Sequence, residues 1–454
     1  MGVYLTYAPP DPARPIEPSG LPSKVPEILG AIWRMPPAED MRPGAWLWWF
    51  WLFFIHDDET IKTGKCRQLM ILWSIKQDPK IKCNGLDIRI DEPFRSISDA
   101  NVKNTKHILE GATAAWYFDG ERMDDDFILQ TGKMALDPPA RLLDAPGKKP
   151  TSFRQDGEDF ITTISTPEIS FEFRARQADK HPCIGPTHSK TVFPANLALV
   201  EGTRLERMDL SGFEFVGQRE RSQEKTGEGS TKAGNARKTD GPQKSGDCTK
   251  TDGPQKASVL RKRKIFGTAY FQKILMAAPP PQWYWGLYHF KDGSMATYMQ
   301  TYVGAAMLKD NLNLSGLPLG GPAFTPTRDI LIYHAPSKKV FEGHALEVKA
   351  EKIEKMNSAS DNIGSPGGKH RASLYIHHLG GGGPGFKFSG RAVAYSHACW
   401  SFEKNIGALP VCSTFKYNEY PAVLEELVIT PDKGPAIRLK MGWGNMENAW
   451  GFLV

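Results

Sequence analysis

The sequence predicts an all-β fold, and three observations carry that expectation. Between Gly267 and Tyr302 the chain alternates large aromatic residues, Trp283-Tyr284-Trp285-Gly286-Leu287-Tyr288-His289-Phe290, on one side of the short break Lys291-Asp292-Gly293-Ser294. That pattern marks two antiparallel strands joined by a tight hairpin. The 454 residues include 43 glycines and 35 prolines, enough punctuation to cut the chain into strands rather than long helices. Helical periodicity is scarce, whereas strand-like alternation returns at Phe160–Ile164, Ile169–Ala175, Ile330–Tyr333, Ala345–Lys349, Ser373–His377 and Leu424–Ile429.

Residues 1–40 read as an N-terminal extension. Met1-Gly2-Val3-Tyr4-Leu5-Thr6 meets the loose myristoylation pattern, but no polybasic stretch adjoins it as a second anchor, and an unmodified terminus is expected. A first β domain is expected over 41–215. It opens on Ala45-Trp46-Leu47-Trp48-Trp49-Phe50-Trp51-Leu52-Phe53-Phe54-Ile55, eleven apolar residues where a membrane-spanning helix needs about twenty. Followed by His56-Asp57-Asp58-Glu59 and a second apolar run at Leu69–Trp73, this stretch reads as a buried strand pair, and no transmembrane helix is expected. Asp119-Gly120, after Trp116-Tyr117-Phe118, reads as a hairpin turn, and Asp124-Asp125-Asp126 as a solvated turn without calcium-loop spacing.

Residues 216–259 read as a disordered basic insert. Lys238-Thr239-Asp240-Gly241-Pro242-Gln243-Lys244 returns twelve residues later as Lys250–Lys256, and Ser222–Ser258 holds no aromatic residue. This insert is expected to join two β domains or to bulge from a loop between them. The cluster Arg261-Lys262-Arg263-Lys264 reads as a solvated linker end leading into a strand. A second β domain is expected over 260–454.

Charge is local. Positions 218–264 hold 13 basic and 6 acidic residues, which leaves 44 basic against 45 acidic elsewhere and a nearly neutral globular part. A nucleic-acid-binding surface is therefore not expected. The six cysteines include no Cys-x-x-Cys pair and no secretory leader opens the chain, so free thiols in a cytoplasmic protein are the expectation. Competing chemistries find little support. His377 and His378 are adjacent on a strand and point to opposite faces, Gly380–Gly383 lacks the lysine of a phosphate loop, and no Gly-x-Ser-x-Gly elbow occurs.

Several motifs together resemble the lipocalin-like hydroxyneurosporene-synthase superfamily, which includes carotenoid 1,2-hydratases and fungal Diels–Alderases. They are the aromatic strand at 45–55, Trp116-Tyr117-Phe118-Asp119-Gly120, Gly267-Thr268-Ala269-Tyr270 followed by Trp283-Tyr284-Trp285-Gly286 and Asp292-Gly293, and the closing Phe415–Pro421 and Gly442-Trp443-Gly444. The resemblance covers most of the chain outside 1–40 and the insert. It implies two lipocalin-like antiparallel β-barrel or sandwich domains packed together, with ligand in or between them. The sequence departs from the hydratases where their Asp-His-Asn-Trp run is replaced by Gln272-Lys273-Ile274-Leu275. Their alkene-protonating acid becomes Gln300 in Tyr298-Met299-Gln300, and an amide cannot protonate a double bond. The Diels–Alderases' Glu-Trp-Trp-Tyr strand stands here as Leu47-Trp48-Trp49-Phe50, which points to a different substrate.

The expected function is thus that of a cofactor-free cyclase or pericyclase. Such an enzyme holds a hydrophobic conjugated intermediate (a polyene, polyketide or terpenoid) in its reactive conformation, with one polar donor on a carbonyl. A non-catalytic binding protein and a hydratase are the alternatives. His289, Tyr298 and Lys404 are the candidate catalytic donors; Trp49, Trp51, Tyr117, Trp283, Trp285, His397 and Trp400 are the candidate substrate-binding residues. No metal or cofactor is expected, and the oligomeric state is left open.

Overall fold

In a computed structural model, the described residues are 25–37, 40–41, 44–76, 81–88, 95–96, 106–177, 186–192, 199–217, 260–277, 282–302, 325, 327–353, 373–405 and 412–451. Gly2, Cys183, Cys248 and residues 218–259 lie outside them. The chain is all-β, as expected. Ten antiparallel strands close a barrel by pairing Ile169–Gln177 with Leu199–Gly217, and the remaining strands build a second antiparallel sheet.

The aromatic strand Trp46–Ile55 sits inside the first barrel's wall, between Arg67–Lys76 and Leu260–Ala277. It is buried on both faces, which explains why its sequence does not alternate. Leu47, Trp49, Trp51, Phe53 and Ile55 point into the barrel, where Trp51 stacks on Phe53 and Phe53 on Phe173. Trp46, Phe50, Leu52 and Phe54 point outward, yet they too are buried, because the second sheet packs over them. Each fully buried tryptophan here removes about 200 Å² from water, on the order of 5 kcal/mol as an upper bound.

Sheet pairing moves the domain boundary. Leu260–Ala277 belongs to the first barrel, not to the second unit expected to begin at residue 260, because its register fills the gap between Trp46–Ile55 and Leu199–Gly217. The basic cluster at 261–264 accordingly lies within a strand, with the Lys262 Nζ 3.7 Å over the Phe213 ring. Gly217 and Leu260 are cross-strand partners, so the chain between them links neighbouring strands of one barrel instead of two domains. In the other direction, the short strands Ile81–Cys83 and Leu86–Ile88 pair onto the second sheet through Ala398–Asn405.

The second sheet runs from Lys339–Gly343 through Arg328–His334, Met295–Tyr302, Gln282–His289, Ile437–Gly451, Cys412–Pro431, Phe386–Ala394 and Leu374–Gly383 to Glu347–Ile353. One face wraps its own core, built from Tyr288, Phe290, Tyr298, Ile332, Phe388, Tyr420, Leu427 and Met446 among others. The opposite face of its central strands covers the first barrel. The expected hairpin is present: Asp292 Oδ1 accepts from the Ser294 amide, and Gly293 adopts φ +92°, a conformation that favours glycine. Asp119 likewise caps its turn through the amides of Glu121 and Arg122. Asp124–Asp126, by contrast, lies inside the strand Met123–Asp137 and not in a turn.

The N-terminal helix Val25–Trp33 docks against the first barrel. Trp33 stacks on Phe153, the Trp49 indole donates to the Ile32 carbonyl, and the buried Lys273 ammonium donates to the carbonyls of Ala31 and Arg34. No helix among the described residues is long and apolar enough to cross a membrane.

Candidate functional site

The seam between the barrel and the second sheet collects the most chemistry. On its second-sheet side, neighbouring strands align Trp285 with Glu447 and Glu447 with Glu419; the next row aligns Trp283, Ala449, Tyr417 and Trp400. On its barrel side stand Trp46, Trp48, Phe50, Trp116 and Tyr270. The rings interlock across the seam, with Tyr270 5.5 Å from Trp285 and Trp46 5.2 Å from Phe402, while Trp283 packs 5.6 Å from Phe415 on its own sheet. Trp48, Trp283 and Tyr417 are only half-buried, so the aromatic wall reaches solvent at that end.

Two carboxyl groups sit in this wall. Glu419 and Glu447 are 1% and 4% exposed and directly opposite each other on adjacent strands, so their side chains share a face. Glu447 is well held: the Trp283 Nε1–H donates to one oxygen and the Tyr417 hydroxyl to the other, each at 2.7 Å. Neither oxygen of Glu419 meets a donor in good hydrogen-bond geometry; Tyr417 and the Trp116 indole come close enough to favour its ionised form, but less than burial and the Glu447 charge oppose it. Tyr417 has one proton, already given to Glu447, so toward Glu419 its oxygen can only accept.

That asymmetry sets the protonation order. Burial pushes both carboxyls above their usual range. The charge on Glu447 pushes Glu419 further, whereas the two donors on Glu447 favour its ionised form. Burial raises Glu447 to about 7, so it is above that pH that the pair carries one proton, on Glu419, and one negative charge, on Glu447. The barrel adds Tyr270, raised by burial and by the nearby Glu206; its hydroxyl donates to Gln272 at 2.9 Å.

The residues predicted from sequence divide among three places. Trp283, Trp285, His289 and Trp400 meet at the seam, as strand parity requires. Lys404 shares the parity of Trp400 and Phe402 and is half-buried near the strand end. Trp49 and Trp51 have odd parity and point into the first barrel, away from the seam; Tyr117 joins them there, bonded to Arg67. Tyr298 lies in the second sheet's own core, where its hydroxyl bonds His377 Nδ1 at 2.7 Å and His377 Nε2 bonds Asn448 at 2.7 Å. His397 leans on Tyr420 and bonds Asn418.

His289 reaches the seam with both nitrogens engaged. Nε2 faces the Glu206 carbonyl at 2.9 Å and so carries the proton; Nδ1 accepts from the Thr268 hydroxyl at 2.8 Å, and Thr268 in turn accepts the Trp443 indole N–H. The ring is a structural link between the two units, with both nitrogens already engaged.

Sequence reading did not single out Glu419 and Glu447. The available signal was parity: each is a carboxylate at an apolar position of an aromatic strand, Tyr417-Asn418-Glu419-Tyr420 and Trp443-Gly444-Asn445-Met446-Glu447. Among the described residues no group of three His, Cys, Asp or Glu side chains is arranged to hold a metal, and Cys66, Cys83 and Cys399 are free thiols. His377 and His378 do face opposite ways, one buried and the other pairing with Glu351 at the surface.

No protein-family model and no curated protein matches this chain. Among solved structures it is similar to an AttH candidate from Nitrosomonas europaea, at 11% identity over 90% of this chain and 93% of that one, with a TM-score of 0.37.

Proposed function

We propose that this protein is a cofactor-independent enzyme of the cyclase or pericyclase type, acting on a hydrophobic, conjugated carbonyl compound held in the seam between its two β units. The observation that carries the reading is the carboxyl pair Glu419–Glu447, buried in a wall of aromatic rings that both units supply. An aromatic wall suits a flexible polyene and can hold it folded, which removes part of the entropic barrier of a ring closure. A protonated carboxyl in that wall supplies the donor such a reaction uses: hydrogen-bonded to a conjugated carbonyl, it lowers the energy of the electron-poor partner. The sequence resemblance to the Diels–Alderase branch supports the same reading, with Glu419 in the donor role expected of His289, Tyr298 or Lys404.

The test uses a linear trienone whose diene and enone are tethered by a short saturated chain. Purified protein is expected to speed its closure to the bicyclic ketone over buffer, and Glu419→Gln to lose most of that acceleration while keeping affinity for the probe. Binding without acceleration identifies a carrier instead. Acceleration unchanged in both Trp285→Leu and Glu419→Gln rules the seam out.

A further inference from the structure

We propose that Glu419 and Glu447 form an acid–base pair that enolises the bound carbonyl compound, so that the enzyme makes its own diene before closing the ring. This rests on the reading of the seam as the substrate site and adds the reaction that supplies the reactive species there.

The geometry assigns the roles. Glu447 is kept as a carboxylate by two donors, Trp283 Nε1–H and the Tyr417 hydroxyl, and a carboxylate inside an apolar wall is a competent base toward an acidic C–H. Glu419 has no donor in good hydrogen-bond geometry on either oxygen and stands opposite that negative charge, the arrangement in which one of two adjacent carboxyls keeps its proton. Simple hydrogen-bond activation requires one neutral donor. A second buried carboxyl held in the ionised form is superfluous for that role and costly in an apolar seam, but proton transfer requires both.

The step balances. The Glu447 carboxylate removes a proton from the γ-carbon of an enone, and the C–H electrons form a new carbon–carbon double bond. The enone double bond shifts, and the carbonyl oxygen takes the proton from Glu419. The product is a dienol, with Glu447 now neutral and Glu419 ionised. Cycloaddition of this 1-hydroxydiene leaves an allylic alcohol that keeps the transferred proton on oxygen, and the pair resets when the proton on Glu447 crosses to Glu419, which stands directly opposite on the neighbouring strand. The pair carries one proton and one negative charge throughout, so no co-reactant is needed. The other ionisable groups near the pair are Tyr417 and Tyr298 on the same sheet and, from the barrel, Tyr270, which itself lies beside Glu206 and Arg204.

The experiment follows deuterium uptake into mesityl oxide, an enone with γ-hydrogens, in deuterated buffer with the full-length protein. Wild type is expected to exchange the γ-position faster than buffer. Glu447→Gln should lower the catalysed rate by about 100-fold or more, the usual size of a general-base contribution, and Glu419→Gln should lower it as well. Trp283→Phe removes one donor from Glu447 and should move the basic group's apparent pKa upward, a displacement that packing damage alone does not produce. An infrared readout is independent of turnover: at a pH well above 7, where Glu447 and Asp125 are ionised, the mutant-minus-wild-type difference spectrum should show loss of a protonated-carboxyl stretch for Glu419→Gln and none for Glu447→Gln. Exchange that survives in Glu447→Gln, or a difference spectrum of Glu419→Gln that shows no such loss, overturns the proposal. Cyclisation of the trienone with no γ-exchange in wild type also overturns it, while leaving the seam reading intact.

Discussion

Glu419 and Glu447 face each other across neighbouring antiparallel strands, and only Glu447 is given hydrogen-bond donors. A carboxyl that stays protonated when folded but ionises when unfolded weakens the fold as pH rises through its unfolded value, because the folded state binds the extra proton there. Glu419 is raised well above 4.5. Glu419→Gln, which removes this liability, should therefore stabilise the protein above about pH 4.5, by on the order of 1 kcal/mol at neutrality. Urea midpoints measured across pH should show that gain shrinking toward zero in acid.

Histidine at the seam predicts the opposite slope. Burial, aided by Arg207, lowers His56 from 6.5 to about 4. Between those values the unfolded chain binds a proton that the folded protein refuses, so stability should fall as pH drops from about 6.5 toward about 4. His56 packs edge-on against Trp443 with its Nε2 buried and unpartnered, so phenylalanine fits the contact. Replacing His56 by Phe should flatten the acid limb of the stability profile.

His289→Phe should act through the fold. It removes the bonds to Thr268 and Glu206 and leaves a buried carbonyl unpaired, a loss of about 1–3 kcal/mol. Thermal melts should record that loss. Turnover of the trienone by the fraction that remains folded should stay within a few-fold of wild type.

At Gly286, a Cβ would come within 2.6 Å of the Tyr298 ring on the facing strand. Gly286→Ala should destabilise by about 1–3 kcal/mol. Combined with Tyr298→Leu, which opens that space, its cost should be smaller, and a double-mutant cycle on urea unfolding measures the difference.

Gly217 and Leu260 already stand opposite one another in the ladder. Replacing residues 218–259 by Asn-Gly, a pair suited to a two-residue hairpin, should leave the melting temperature within a few degrees, since loop closure depends only weakly on length. A collapse of the melt would assign the segment a structural role.

The sequence was most legible where strand periodicity acted alone. The hairpin at 290–295, the pair 46–55 with 67–76, and the shared face of Trp283, Trp285 and His289 all follow from a period of two residues. Parity also separates Trp48 from Trp49, but only pairing reveals which face of a doubly aromatic strand looks outward. The membership of Leu260–Ala277 was hidden for a related reason: local pattern identifies a strand and does not name its neighbours. Glu419 and Glu447 lie 28 residues apart in sequence and become a pair only through register.

Closure of the first barrel by Leu260–Ala277 also dictates an order of events during synthesis. The strand Trp46–Ile55 leaves the ribosome more than two hundred residues before the partner for its second edge exists. Until then its backbone edge and its outward row of Trp46, Phe50, Leu52 and Phe54 are open to any other nascent chain. Fragments ending before residue 260 should therefore aggregate rather than fold, and production of this protein should depend on chaperones that hold the unfinished barrel while its last stave is made.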